Sequence, residues 1–246
     1  MTLSVGLQRS RNHPTLNSRV RGIEGGDSLK AVIFDMDGVI IDSEPIHAQV
    51  NQLVLNQIGV QVTQEYLNQF VGVTNSEMWR TIIRDFKIDR TVEGMVESQL
   101  SANIKFLDES DILPISGISE LIKLLNDHHI PIGIASSSPR LLIERVLANF
   151  EMQEWFQCIV SGEEIKQGKP APDVYLEACR MIGAPVEKCI AIEDSRHGVL
   201  AAKRAGLRCI GYQNENSGKQ DLSDADVVVR SISEITLNLL TASHRD

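Results

Sequence analysis

No run of apolar residues in this chain approaches the roughly 20 that a membrane-spanning helix needs, so an embedded role is not expected. A basic excess is also missing: 24 Lys and Arg stand against 33 Asp and Glu, a formal net charge of -9. Nucleic acid and anionic membranes both reward a basic surface, so neither is expected as the partner, and any phosphate site must be positive only locally. The four cysteines, Cys158, Cys179, Cys189 and Cys209, lack C-x-x-C spacing and lie in or beside apolar segments. That pattern reads as reduced core thiols rather than a disulfide framework. His47, His197 and the His128-His129 pair are dispersed and lack zinc-ligand spacing. No internal repeat is visible.

What is present is enough for a sizeable core. A chain of 246 residues, 42% of them apolar, suits one large domain or a domain carrying an insertion. Residues 1–28 differ in kind, with Arg9, Arg11, Arg19 and Arg21 among Ser and Asn and no acid before Glu24. They read as a tail or leader, with an organellar transit segment as the alternative.

The stretch that organises the rest is residues 30–42, KAVIFDMDGVIID. Ala31 to Phe34 is short, apolar and partly β-branched, the mark of a strand buried on both faces of a parallel sheet. Asp35 closes it, and Asp37 two residues on can project to the same side, with Gly38 permitting a turn. In open parallel sheets that edge is where ligands bind. An isolated Asp-x-Asp ordinarily starts a loop or caps a helix. Behind a buried strand, two adjacent carboxylates point instead to a divalent cation with hard oxygen ligands, Mg2+.

Helical periodicity alone runs through residues 44–110, opened by Ser43 as N-cap and Pro45 in the first turn, with segments expected over 66–71, 77–86 and 91–107. Strands and helices then alternate. A helix over 116–129 precedes a strand over 131–135, which ends in Ser136, Ser137, Ser138, Pro139 and Arg140 at the start of another helix. A strand over 158–161 leads to a proline-stiffened loop containing Lys169. A helix over 173–182 leads to a strand over 188–192 that ends in Glu193 and Asp194, with Ser195 as the next helix cap. Strands over 207–211 and 226–229 complete the series. The expected class is α/β, a doubly wound parallel sheet, with residues 29–43 and 111–246 as the core and the all-helical 44–110 inserted after its first strand.

FDMDGVIIDSEP resembles the first motif of the haloacid dehalogenase superfamily, in its β-phosphoglucomutase-like branch, and the loop around Lys169 resembles that family's GKPxP motif. The resemblance covers about residues 30–240. It implies a Mg2+-dependent phosphatase in which Asp35 attacks phosphorus to form an aspartyl phosphate, and Asp37 acts as acid and then base. It implies a small helical cap over the site. Asp35, the Asp37 carbonyl and Asp194 are its implied metal ligands, with Glu193 a ligand or a water-mediated partner. Phosphate and substrate contacts are expected from Ser136, Ser137, Ser138, Arg140 and Lys169, and on the cap side from Gly72, Val73, Asn75 and His47.

The family's mutases offer a Lys and an Arg where this chain has Val71 and Asn75. A monophosphatase is therefore expected over a mutase. A metal-free dehalogenase and a receiver-like phosphoacceptor are the remaining alternatives. The expected partner is a small phosphorylated metabolite. The expected state is a monomer in the cytoplasm, or in an organelle if residues 1–28 are a transit segment.

Overall fold

The computed structural model describes residues 29–70 and 73–242; the expectations placed on residues 1–28, on Val71 and on Gly72 lie outside them. Six strands, β1 (Ala31–Phe34), β2 (Ile132–Ser136), β3 (Cys158–Ser161), β4 (Cys189–Glu193), β5 (Arg208–Tyr212) and β6 (Val227–Val229), form one sheet in the order β3-β2-β1-β4-β5-β6. Every neighbouring pair is parallel, so the expected doubly wound sheet is observed. The chain runs outward from β1 to β3 and then returns to pair β4 with β1. The carboxyl ends of β1 and β4 therefore flank the point where strand order reverses, the usual ligand crevice of such sheets.

The helices are α1 (Glu44–Gln57), α2 (Gln64–Asn68), α3 (Asn75–Phe86), α4 (Val92–Glu109), α5 (Ile118–Asp127), α6 (Arg140–Asn149), α7 (Asp173–Ile182), α8 (Arg196–Ala205) and α9 (Leu237–Thr241). Alternation along each strand assigns side chains to two layers. Val32 and Phe34 of β1 and Ile190 and Ile192 of β4 join the core that holds the apolar faces of α5 and α6. Ala31 and Ile33, with Cys189 and Ala191, join the core under α7 and α8. All four cysteines are free and buried. No described helix is long and apolar enough to cross a membrane.

Among the described residues, α1 to α4 are the only helices or strands between β1 and α5. Thr63, Thr74 and Thr91 cap α2, α3 and α4, each accepting from the backbone N–H three residues on. The cap on Thr63 starts α2 at Gln64, two residues ahead of the periodicity, and Gln69 ends it sooner. Ser43 departs from its expected role: it stands at the N-cap of α1 but makes no capping hydrogen bond. The entry and exit of this helical segment are held together, with Ile115 N–H donating to Ile40 O at 2.9 Å and a bridge between Ile41 and Pro114.

Candidate active site

Asp35 leaves β1 on the same side as Ala31 and Ile33, and Glu193 leaves β4 on the matching side, both toward α7 and α8. Lys169 reaches between them. Its Nζ lies 3.1 Å from Asp35 Oδ1 and 2.5 Å from Glu193 Oε1, and all three side chains are almost fully buried. Tyr175 of α7 donates its hydroxyl to the same Glu193 oxygen at 2.6 Å, and the ammonium stands 5.3 Å from the centre of that tyrosine ring. Ser195 donates its backbone N–H and its hydroxyl to Glu193 Oε2, at 3.4 and 3.2 Å. Both oxygens of Glu193 are thus engaged by protein donors. Gly198 makes room for that carboxylate, since a Cβ there would lie 1.9 Å from it.

Burial, then Glu193, then Asp37 raise the Asp35 pKa well above the ordinary carboxylate range, with Lys169 opposing them. Asp37 behaves in the opposite way. Ser43 Oγ donates to its Oδ1 at 2.5 Å, His47 Nε2 meets the same oxygen at 2.9 Å, and Ser138 Oγ donates to Oδ2 at 2.6 Å. Burial pushes Asp37 up, but His47, Ser138 and Ser43 outweigh it and hold the carboxyl at about 2.

The folded pKa of Asp37 lies below the ordinary value of about 3.9, so its contribution to stability is complete above that value and is lost as pH falls through about 2. Acid unfolding of the protein and of Asp37→Asn should differ by about 2–3 kcal/mol at pH 5 and converge toward pH 2. Parallel curves over the whole range would contradict this.

Asp194 follows β4 and accepts a short hydrogen bond from the Ser217 hydroxyl. Gly38 passes directly over it: its φ is +73°, and a Cβ there would lie 1.9 Å from Asp194 Oδ2. Asn214 Nδ2 donates to Gly38 O at 3.0 Å and fixes the turn against the 214–217 segment. Asp35, Glu193 and Asp194 each bring a carboxylate oxygen within 4.8 Å of the others, all of them buried. With Asp37 also nearby, Lys169 is the only buried lysine or arginine among the described residues. Hard oxygen donors with excess negative charge fit a divalent cation such as Mg2+. Asp35, Asp194 and the Asp37 carbonyl are left to hold it, because the oxygens of Glu193 already have donors.

A cavity of about 690 Å³ of non-atom space, its open mouth included, lies between this strand edge and α1 to α4. Asp35, Asp37, His47, Val73, Asn75, Ser137, Ser138 and Asp194 line it. Ser136 is wholly buried below its neighbours and its Oγ accepts from Ser138 N–H at 3.1 Å. Arg140 does not join this group. Its guanidinium binds both oxygens of Glu164, at 2.5 and 2.6 Å, and the Ile159 carbonyl at 2.9 Å, outside the cavity lining. The bidentate carboxylate of Glu164 holds the guanidinium at the surface, away from the cavity. Gly72 lies outside the described residues.

Sequence reasoning missed Ser43, Tyr175 and Ser217. Ser43 stood beside the motif and could have been weighed as a partner of Asp37. Tyr175 and Ser217 carried no local signal.

A family model described as haloacid dehalogenase-like hydrolase matches residues 32–212. Hexitol phosphatase B of Escherichia coli is 30% identical over 215 residues, covering 85% of this chain and 95% of the relative. The β-phosphoglucomutase of Bacillus subtilis is 31% identical over 220 residues, covering 86% and 94%. Among solved structures, CbbY from Rhodobacter sphaeroides in complex with xylulose-(1,5)bisphosphate superposes with a TM-score of 0.81 at 25% identity, covering 87% of this chain and all of that one.

Proposed function

Since the chain belongs to the haloacid dehalogenase-like hydrolases, we propose that it is a Mg2+-dependent phosphatase that hydrolyses a small phosphorylated sugar or polyol through an aspartyl phosphate on Asp35. The observation that carries this is that Asp35, Asp37 and Asp194, at the ends of β1 and β4, line one cavity, with Lys169 3.1 Å from Asp35 behind them.

An Asp35 oxygen attacks phosphorus, the bond from phosphorus to the ester oxygen breaks, and Asp37 delivers a proton to the departing oxygen. Water then attacks the phosphorus of the aspartyl phosphate, Asp37 takes its proton, and Asp35 is regenerated. The arrangement seen, with Asp37 held ionised by Ser43, His47 and Ser138, suits the second step. Protonation for the first step requires those contacts to loosen, and Ser43 directly precedes, and His47 lies in, the first helix of the segment that we read as a cap over residues 44–110. Lys169 and the hydroxyls of Ser136 and Ser137 would bind the phosphoryl oxygens. Mg2+, held by Asp35 and Asp194, would supply further positive charge against those oxygens.

Hexitol phosphatase B is a phosphatase and the Bacillus subtilis relative is a mutase. Hydrolysis is favoured here because neither Lys nor Arg is among the described residues lining the cavity and its His47 is engaged by Asp37, so a second phosphate would find no lysine or arginine there. A panel of hexose, pentose, hexitol and glycolytic phosphates, assayed with and without Mg2+, tests the reading. Phosphate release that needs Mg2+ supports it. Metal-independent release, or transfer between sugar hydroxyls dependent on a bisphosphate primer, overturns it. In the same assay Gly38→Ala, which would displace the Asp194 carboxylate, should weaken the apparent Mg2+ affinity by about 10–100-fold. An unchanged Mg2+ titration would separate Asp194 from the cation.

A further inference from the structure

The cap side of the cavity carries a series of buried amides that the reaction above does not use. Trp79 on α3 is fully buried, and its Nε1–H donates to Gln99 Oε1 at 2.9 Å. Gln99 on α4 donates from Nε2 to Asn51 Oδ1 at 2.6 Å. Asn51 on α1 then finds only a weak acceptor for its own amide, the Met78 thioether at 3.8 Å.

An indole N–H donates and never accepts, so this relay has one direction. Gln99 commits its oxygen to Trp79 and its nitrogen to Asn51, and Asn51 has to turn its nitrogen away from the relay. A second amide repeats the pattern. Asn75 Nδ2, in the first turn of α3, is a buried donor with no hydrogen-bond partner. Asn51, Asn75, Met78 and Gln99 all line the cavity that Asp35 and Asp37 line. Two amide donors without a strong acceptor face the space where the non-phosphate part of a substrate would lie. Buried donors of this kind discriminate well, because a ligand that lacks the matching oxygen leaves them unpaired.

We propose that Asn51 and Asn75 are specificity-determining residues that donate to hydroxyl or carbonyl oxygens on an uncharged, polyhydroxylated portion of the substrate, and that Trp79 and Gln99 are positioning residues that fix the direction of Asn51. The proposal rests on the phosphatase reading and adds the chemistry by which that site chooses among phosphate monoesters. Charge agrees with it. The cap-side lining adds further amides, Gln64 and Asn68, and among the described lining residues the acids Asp35, Asp37 and Asp194 all belong to the strand-end rim.

The test compares two phosphate monoesters on the full chain with Mg2+, sorbitol 6-phosphate and phenyl phosphate, the second having no hydroxyl to read. The variants are Asn51→Asp, which keeps the shape and replaces the donor by an acceptor, Asn75→Ala, and Trp79→Phe, which removes only the N–H that orients the relay. For Asn51→Asp and Asn75→Ala, the ratio of kcat/KM for the hexitol ester to that for the phenyl ester should fall about 10-fold or more. Trp79→Phe should lower the same ratio through KM on the hexitol ester with kcat nearly kept, a split that general loosening of the cap would not produce.

Equal losses on both esters, or no change on either, overturn the inference and leave the phosphatase reading standing. Failure of the unsubstituted protein to hydrolyse these two esters and every ester of the panel above overturns that reading and the inference with it.

Discussion

Asp35→Asn is expected to lower kcat by about 10⁴-fold or more while leaving the fold at least as stable. The amide keeps the shape of the side chain and can still accept from Met36 N–H, which bonds Asp35 Oδ1 at 2.8 Å. It cannot attack phosphorus. Stability follows from the sign of the pKa shift. Burial and the facing Glu193 hold Asp35 well above the carboxylate range, so the folded state binds its proton more tightly than the unfolded chain does. Stability is therefore lost as pH rises from the ordinary value of about 3.9 toward the raised one, and at neutral pH Asp35 costs stability. Replacing it removes that cost. Thermal melts at pH 7 without added metal should show a Tm equal to or above that of the unsubstituted protein. A clear drop would mean that the Lys169 contact outweighs the burial, contrary to this reading.

Lys169→Met should have the opposite signature, with activity and stability failing together. Removing the ammonium leaves Asp35 and Glu193 facing each other in a site with almost no solvent. Breaking a buried pair in this way costs about 3–5 kcal/mol. For a chain of this size that corresponds to a Tm lower by roughly 6–20 °C. Loss of one oriented charge at the phosphoryl group should also lower kcat about 10²–10³-fold. Adding Glu193→Gln to Lys169→Met should restore part of the stability, because one of the stranded carboxylates becomes neutral, and little of the turnover. Lys169→Met melting with the unsubstituted protein would show that the ammonium is not the group that makes two buried acids tolerable. Lysine pKa gives a second check. Asp35 and Glu193 outweigh desolvation and raise it, so the stabilisation Lys169 provides is complete below about pH 10 and is lost only at higher pH.

The strand ends were legible because their signal is local. A short β-branched run followed by Asp35, and a second followed by Glu193 and Asp194, specify buried strands and place acids at one edge whatever the rest of the chain does. The spacing of Asp35 and Asp37 was less informative than it looked. Strand alternation would send both carboxylates the same way, but β1 ends at Phe34 and the chain turns at once. Met36 O accepts from the N–H groups of Val39, Ile40 and Ile41, and Asp37 takes its own partners from α1 and the loop after β2.

Ser before Glu-Pro ordinarily caps a helix, but tertiary proximity to Asp37 gives the Ser43 hydroxyl a better acceptor. The place of Arg140 after three serines suggests a phosphate contact, but Glu164, which takes its guanidinium, comes from the loop after β3, out of reach of any local pattern. The pairing of Tyr175 with Glu193 and of Ser217 with Asp194 spans 18 and 23 residues and depends on which elements pack together, so no window of sequence contains it.

Whether phosphorus passes through Asp35 can be read from the protein itself. Acid-quenching the enzyme during turnover of a sugar phosphate with Mg2+, followed by digestion and peptide mass analysis, should find one phosphoryl group on the peptide carrying Asp35. It should be released by hydroxylamine and absent from Asp35→Asn. A quenched protein that carries no phosphoryl group while product accumulates, or carries it on another residue, would contradict the nucleophile assigned here.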